Sequence, residues 1–261
     1  MSEKNVTFPT EVIELPSKGW VYPQDHVFHN GTIELRWPTG ADEDILTSKS
    51  LIQKGIVLDK FIEALYAGSP KDLDDLVLGD WDKVIMAARF LAYGKEYNTT
   101  VVCSNCGEHN DVVVDTQLWE DKKLDSENYT IGENIFTFLF PDCNREIIFK
   151  LLTKKDSKDI DLELKRKKKL LGATGNQHEM TTRYRYMIQT LDGDDSGHGI
   201  IKFIESELPM RDSLRFKKYL AKIAPGVRTY YDFSCQECGH EDFLEVPLDA
   251  NFFWPPANKG R

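Results

Sequence analysis

The chain has no long apolar run, no surplus of positive charge and few cysteines, and each shortage closes off a class of function. No window approaches the roughly 20 apolar residues needed to span a bilayer; the most apolar helical stretch, Val84 to Tyr93, is short and carries Arg89. The opening MSEKNVTFPT is polar and lacks the apolar centre of a secretory signal, so a soluble protein of a reducing cytosol is expected. The 33 Lys and Arg against 43 Asp and Glu leave a net charge of −10. That balance argues against a protein held to nucleic-acid phosphates or to anionic lipid by its overall field. There is no GKS/T phosphate loop, no G-x-S-x-G, no H-E-x-x-H and no glycine-rich fingerprint after a strand. Asp192-Gly193-Asp194-Asp195-Ser196-Gly197 imitates the start of an EF-hand, but its twelfth position would be Phe203, not the bidentate glutamate that calcium requires. What is present is an ordinary globular composition, 261 residues with 41% hydrophobic and 29% charged, enough for one large domain or two smaller ones.

Four of the five cysteines form two Cys-x-x-Cys-Gly sequences, at Cys103/Cys106 and Cys235/Cys238. Each lies between two short strand-like runs, the setting of a zinc knuckle: two thiolates turn toward one ion, and the glycine supplies a positive φ. One pair is half of a tetrahedral shell. Two pairs make a closed, structural Cys₄ zinc site, with Cys103, Cys106, Cys235 and Cys238 as ligands. The competing reading is a pair of reduced hairpins that keep their turns without metal. A redox pair is disfavoured because neither Cys-x-x-Cys opens a helix in a thioredoxin-like setting. His109 and His240 lie close by and read as solvated turn residues; Cys143 reads as a small turn or core residue.

The chain divides into an extended arm at 1–30, an α+β unit at 31–120, a second at 129–250 and an aromatic-proline tail at 251–261. In the first unit, TIELRW reads as a strand and ADEDIL as a helix opening on acidic residues. Leu58, Phe61, Ile62 and Leu65 fall on one helical face. A further helix, N-capped by Asp80 and carrying Trp81, Val84, Ile85, Ala88 and Leu91 on one face, stops at Gly94. In the second unit, IFTFLF and REIIFKLL read as strands and KKDSKDIDLELKRKKKLL, QHEMTTRYRYMIQTL and GIIKFIESEL as helices. A fourth helix runs from Asp212 to Pro225-Gly226. An offset of 132 positions superposes Asp80 on Asp212, Leu91 on Ile223, Gly94 on Gly226 and the first cysteine pair on the second. DEDI at 42–45 matches DSKDI at 156–160 at a smaller offset, which implies an insertion. The expected fold is therefore α+β with an internal duplication of a strand–helices–hairpin unit, its two knuckles meeting as a zinc-ribbon-like site.

Lys165-Arg166-Lys167-Lys168-Lys169 follows Asp161 and Glu163 at helical i, i+4 spacing and reads as a solvated face. At the two ends, LPSKGWVYP and NFFWPP pair large side chains with proline. Trp20, Tyr22, Phe252, Phe253 and Trp254 are the candidate anchors for a partner protein, with packing back onto the chain's own domain as the alternative.

In ordered combination, LPSKGWVYP at 15–23, ADEDILTSKSLIQKGIVLDKFIEAL at 41–65, the hairpin at 103–107, PMRDSLRFKKYLAKIAPGV at 209–227, CQECGHEDFLEVPLD and NFFWP at 251–255 are distinctive. Over nearly its whole length the sequence resembles the baseplate hub proteins of T-even-like contractile-tailed bacteriophages. The resemblance implies a non-enzymatic role in building or chaperoning the hub of the tail baseplate. Its partners would be other baseplate proteins, not nucleic acid or membrane, in the host bacterial cytoplasm during assembly and in the virion tail if the protein stays. The zinc expectation rests on the four cysteines alone. A zinc-ribbon nucleic-acid-binding module, as in transcription, is the alternative function. A metal-dependent hydrolase needs an open coordination position that four thiolates deny.

Overall fold

The structure, a computed structural model, describes residues 8–171, 179–246 and 250–253. The fold is α+β, with small antiparallel sheets laid against helices. The first half opens with the hairpin β1 (Thr10–Glu14) and β2 (Thr32–Arg36). Helices α1 (Gly40–Leu46), α2 (Lys49–Lys54), α3 (Val57–Leu65) and α4 (Leu78–Tyr93) follow, then β3 (Glu96–Val102) and β4 (His109–Asp115). A two-residue strand, β5 (Glu120–Asp121), leads out. The second half also opens with a hairpin followed by helices: β6 (Phe136–Phe140) and β7 (Arg145–Phe149), then α5 (Lys154–Leu171) and α6 (Glu179–Met187). Strand β8 (Ile188–Leu191), α7 (Gly197–Lys202) with a π-helical turn Phe203–Glu207, and α8 (Met210–Ile223) come next. The half closes with β9 (Val227–Arg228), β10 (Tyr230–Ser234), β11 (Glu241–Glu245) and a short α9 (Ala250–Phe253).

One hydrophobic core runs from Leu15 through both halves to Phe253. The halves are joined along a seam. Leu78 N–H donates to Leu152 O at 3.0 Å, Lys154 N–H donates to Leu76 O at 2.8 Å, and β5 pairs with β9. Gly79 on α4 meets Pro225 so closely that a β-carbon there would lie 1.9 Å from the Pro225 carbonyl oxygen. The buried Lys154 ammonium crosses the seam to Asp59 and lies over the Trp81 ring; burial pulls it down to about 8.

Each half ties its first hairpin to its last long helix through a buried aspartate at the third helical position. Asp80 accepts from Ser17 N–H at 2.8 Å and from the Tyr22 hydroxyl at 2.6 Å. Asp212 accepts from the backbone N–H groups of Asp142 and Cys143, at 3.1 and 3.0 Å, and from Arg215 at 2.9 Å. Asp80 was expected as the N-cap of its helix. The helix is instead capped at Val77, three residues earlier, and the carboxylate turns back to the β1–β2 connection because unpaired donors there need an acceptor. A second pair of contacts also recurs. Thr39 N–H and Arg36 bind Asp42 at the start of α1, and Thr153 N–H and Lys150 bind Asp156 at the start of α5. Hydrogen bonds from Arg36 hold the Asp42 carboxyl down at about 2.

Two expected elements differ. The stretch QHEMTTRYRYMIQTL is a helix only to Met187; Ile188 to Leu191 leave it as β8, because β7 offers an unpaired edge to Ile188 and Leu191. The arm at 1–30 is not extended from Leu15 on. It folds into consecutive turns in which Gly19 and Gly31 pack backbone on backbone, a β-carbon at Gly19 meeting His29 O at 2.1 Å.

Candidate metal centre

Both cysteine hairpins form as the spacing predicts. β3 pairs with β4 from Val102↔His109 outward, and β10 pairs with β11 from Ser234↔Glu241 outward. Each tip is a single tight turn. Cys103 N–H donates to Glu108 O and Gly107 N–H to Cys103 O, at 2.8 and 2.9 Å. Cys235 N–H donates to His240 O and Gly239 N–H to Cys235 O, at 2.9 and 3.0 Å. Gly107 and Gly239 take φ of 77° and 67°, the left-handed region where glycine carries no steric cost.

The tips face each other. The four sulfurs all lie within 4.8 Å of one another, with Cys103–Cys238 and Cys106–Cys235 at 3.7 Å. A tetrahedron with metal–sulfur bonds of about 2.3 Å has edges of about 3.8 Å, whereas a disulfide would need about 2 Å. The donor set therefore fits one tetrahedral thiophilic ion such as zinc. Behind it, Cys103, Phe233 and Cys235 form a small buried cluster, walled by Val101, Val112, Tyr231 and Leu244.

Polar side chains support the sulfurs from the opposite hairpin. The buried Asn110 donates to the Cys235 sulfur at 3.6 Å and accepts from Gln236 N–H at 2.9 Å; Asn105 donates to the Cys238 sulfur at 3.6 Å. Backbone donation at Cys238 and Glu237 draws the Cys235 thiol down to about 6, and Asn105 lowers Cys238. For Cys106 the Glu108 backbone pulls downward, yet hydrogen bonds with Cys238, Cys103 and Cys235 push it up to about 12. Four sulfurs this close do not all ionise unless a cation neutralises them. Sequence reading does not single out either asparagine; their signal is a polar residue inside the first knuckle, at C-x-N-C, and another at the start of NDVVVD in the strand that follows it. Among the described residues, His109 and His240 belong to no metal-ligating group. His240 lies 3.2 Å from the Ser104 hydroxyl instead.

Of the two readings of the aromatic ends, the described residues take the one that packs them back onto the chain's own domain. Tyr22, Phe252 and Phe253 are buried in the chain's own core and present no surface to a partner. The Tyr22 hydroxyl is consumed by Asp80 and Val77 N–H. Phe252 sits between Tyr97, Trp119 and the guanidinium of Arg89, whose Nε donates to its carbonyl at 3.0 Å; Phe253 packs on Phe61. Trp20 is half-buried, edge-on to Tyr129 at 5.4 Å. Trp254 lies outside the described residues. Burial of such a side chain is worth about 1.5–3 kcal/mol, which explains why Tyr22, Phe252 and Phe253 sit in the core.

The basic run lies along α5, where Lys167 pairs with Glu163 at 2.8 Å. Glu163 also binds Arg185. No helix among the described residues is long and apolar enough to cross a membrane.

A family model described as T4 bacteriophage base plate protein matches residues 8–254 of this chain. No curated protein and no solved structure matches it.

Proposed function

Because the chain belongs to the T4 bacteriophage base plate protein family, we propose that it is a non-enzymatic scaffold of the tail baseplate hub, acting in hub assembly or as a hub subunit. It would act in the host bacterial cytoplasm, with other baseplate proteins as its partners. In this reading two related α+β units, 31–120 and 129–250, descend from an internal duplication and are clasped by one structural zinc on Cys103, Cys106, Cys235 and Cys238. The observation that carries it is the convergence of two distant knuckles on one cluster of four sulfurs. The matching contacts made by Asp80 in one half and Asp212 in the other, and by Asp42 and Asp156 likewise, support common descent of the halves.

Four thiolates would occupy every position of a tetrahedral ion and keep none for water, so the metal would supply cross-linking, not hydrolysis. The chain's own residues orient it: the two turns aim the thiolates, and Asn105 and Asn110 stabilise their charge. Such a clasp contributes on the order of 10 kcal/mol to folding.

The test is an infection by phage encoding Cys103→Ser or Cys235→Ser. The expected result is joint loss of soluble protein and of completed baseplates. Normal baseplate yield with metal-free protein would reject the clasp. Comparing the protein's companions in infected lysate with the composition of purified virions then separates a subunit that stays from a chaperone that leaves.

A further inference from the structure

The sheet β1–β2 ends in an open edge, and a groove of about 250 Å³ lies beside it. Its walls are Glu11 and Ile13 of β1, Met86, Ala87 and Phe90 of α4, and Trp119. Leu15 N–H binds Gly31 O and Trp37 N–H binds Pro9 O, so odd-numbered residues of β1 face β2. The N–H and C=O groups of Thr10, Val12 and Glu14 then point outward, and among the described residues no backbone hydrogen bond takes them up. The buried indole N–H of Trp119 in the groove wall also has no acceptor there.

The second half shows what fills the same space. Register equates Ile13, opposite Ile33, with Phe138, opposite Ile147, and Glu11, opposite Leu35, with Phe136, opposite Phe149. Helix position equates Ala87 with Tyr219. In the second half Phe138 packs on Tyr219 at 5.1 Å and on Phe216 at 5.2 Å. In the first half glutamate, isoleucine and alanine stand at those positions. The helix surface differs likewise: Met86 and Phe90 occupy the positions of the exposed Lys218 and Lys222. Aromatic volume present in one half is missing from the other, and the helix beside the gap is apolar instead of charged.

We infer that an extended segment of a partner protein adds a strand to the free edge of β1 and seats an aromatic side chain in this groove. The outward amides give it register. Glu11, exposed in the groove wall and without an ion pair among the described residues, selects lysine or arginine beside the aromatic residue. This rests on the duplicated-unit reading for its comparison of filled with open space, and not on the metal.

The test is binding of the full-length, zinc-loaded chain to an array of short overlapping peptides covering the phage's tail proteins. Bound peptides are expected to combine alternating large apolar residues with basic ones and to slow hydrogen exchange at Thr10, Val12 and Glu14. Ala87→Tyr, which fills the groove as Tyr219 does, is expected to weaken binding at least about tenfold. Val12→Pro, which removes an outward N–H, should do the same with unchanged circular dichroism. If Val12→Pro fails to fold, Ala87→Tyr decides. No binder on the array, or unchanged affinity in Ala87→Tyr, would overturn the inference. So would a dimer that Val12→Pro dissolves, since the occupant would then be a second copy of the chain. A wild-type chain that lacked zinc yet bound such peptides would sink the clasp and leave this surface standing.

Discussion

Asp80 on α4 and Asp212 on α8 occupy the same helical position and are equally shielded from water, yet they hold their protons differently. Burial raises the Asp80 carboxyl above the ordinary range, and the donors at Ser17 and Tyr22 do not offset it. Burial also pushes Asp212 upward, but the backbone donors at Asp142 and Cys143 and the cation of Arg215 outweigh it and leave the carboxyl lowered. Both halves hold a hairpin to a helix in the same way but with different electrostatics, one tie resting on a hydroxyl and the other on a cation. The same divergence runs along the outer helix surfaces, apolar beside β1 and charged beside β6.

The largest effect is expected at the cysteines, where the proposed ion would join the two halves. Cys103→Ser and Cys235→Ser lie in different halves but should release the same ion and cost equally, by several kcal/mol and up to about 10. Chemical denaturation with and without a chelator checks this; a wild type indifferent to chelation would separate the halves. Next in size are the two aspartates. Asp80→Ala and Asp212→Ala each leave buried donors unpaired and should cost about 2–4 kcal/mol in urea titrations.

Replacing each aspartate by asparagine sharpens the contrast through pH. Asp80 has a raised folded pKa, so its contribution is full below the unfolded carboxylate pKa and fades as pH rises toward the folded value. Asp212 has a lowered folded pKa, so its contribution is full above the unfolded value and is lost as pH falls through the folded one. Asp80→Asn should therefore be more damaging at acidic pH than at neutral pH, and Asp212→Asn the reverse. Parallel pH profiles for the two variants would contradict the assignment.

Smaller effects follow at the seam and the surface. Gly79→Ala drives a methyl group into Pro225 O and should cost about 1–3 kcal/mol by thermal melting. Arg211, at the matching position of α8, is 81% exposed and should tolerate alanine. Smallest is Lys165→Ala on α5, expected within about 0.5 kcal/mol of wild type.

Much of this was legible in the sequence because the signals are local. A Cys-x-x-Cys-Gly turn requires its own short hydrogen bonds and a glycine at positive φ, and the helical face of Phe61, Ile62 and Leu65 is set by periodicity. What was not legible depends on distant partners. Ile188 to Leu191 continue a helical pattern but become a strand because β7 lies beside them. Tyr22 reads as an exposed anchor until Asp80 arrives from another element, and Phe252 until Arg89 reaches its carbonyl. Arg89 itself reads as an interruption of an apolar helix; it is buried, stacked on Tyr97 and bonded to the carbonyls of Gly94 and Glu96.

The most direct test is elemental analysis of the purified full-length chain, joined to X-ray absorption at the metal edge. One zinc per chain in a shell of four sulfurs near 2.3 Å is the predicted result. A metal-free chain whose four thiols all react at once with a thiol reagent, while the fold stays intact, would contradict the clasp.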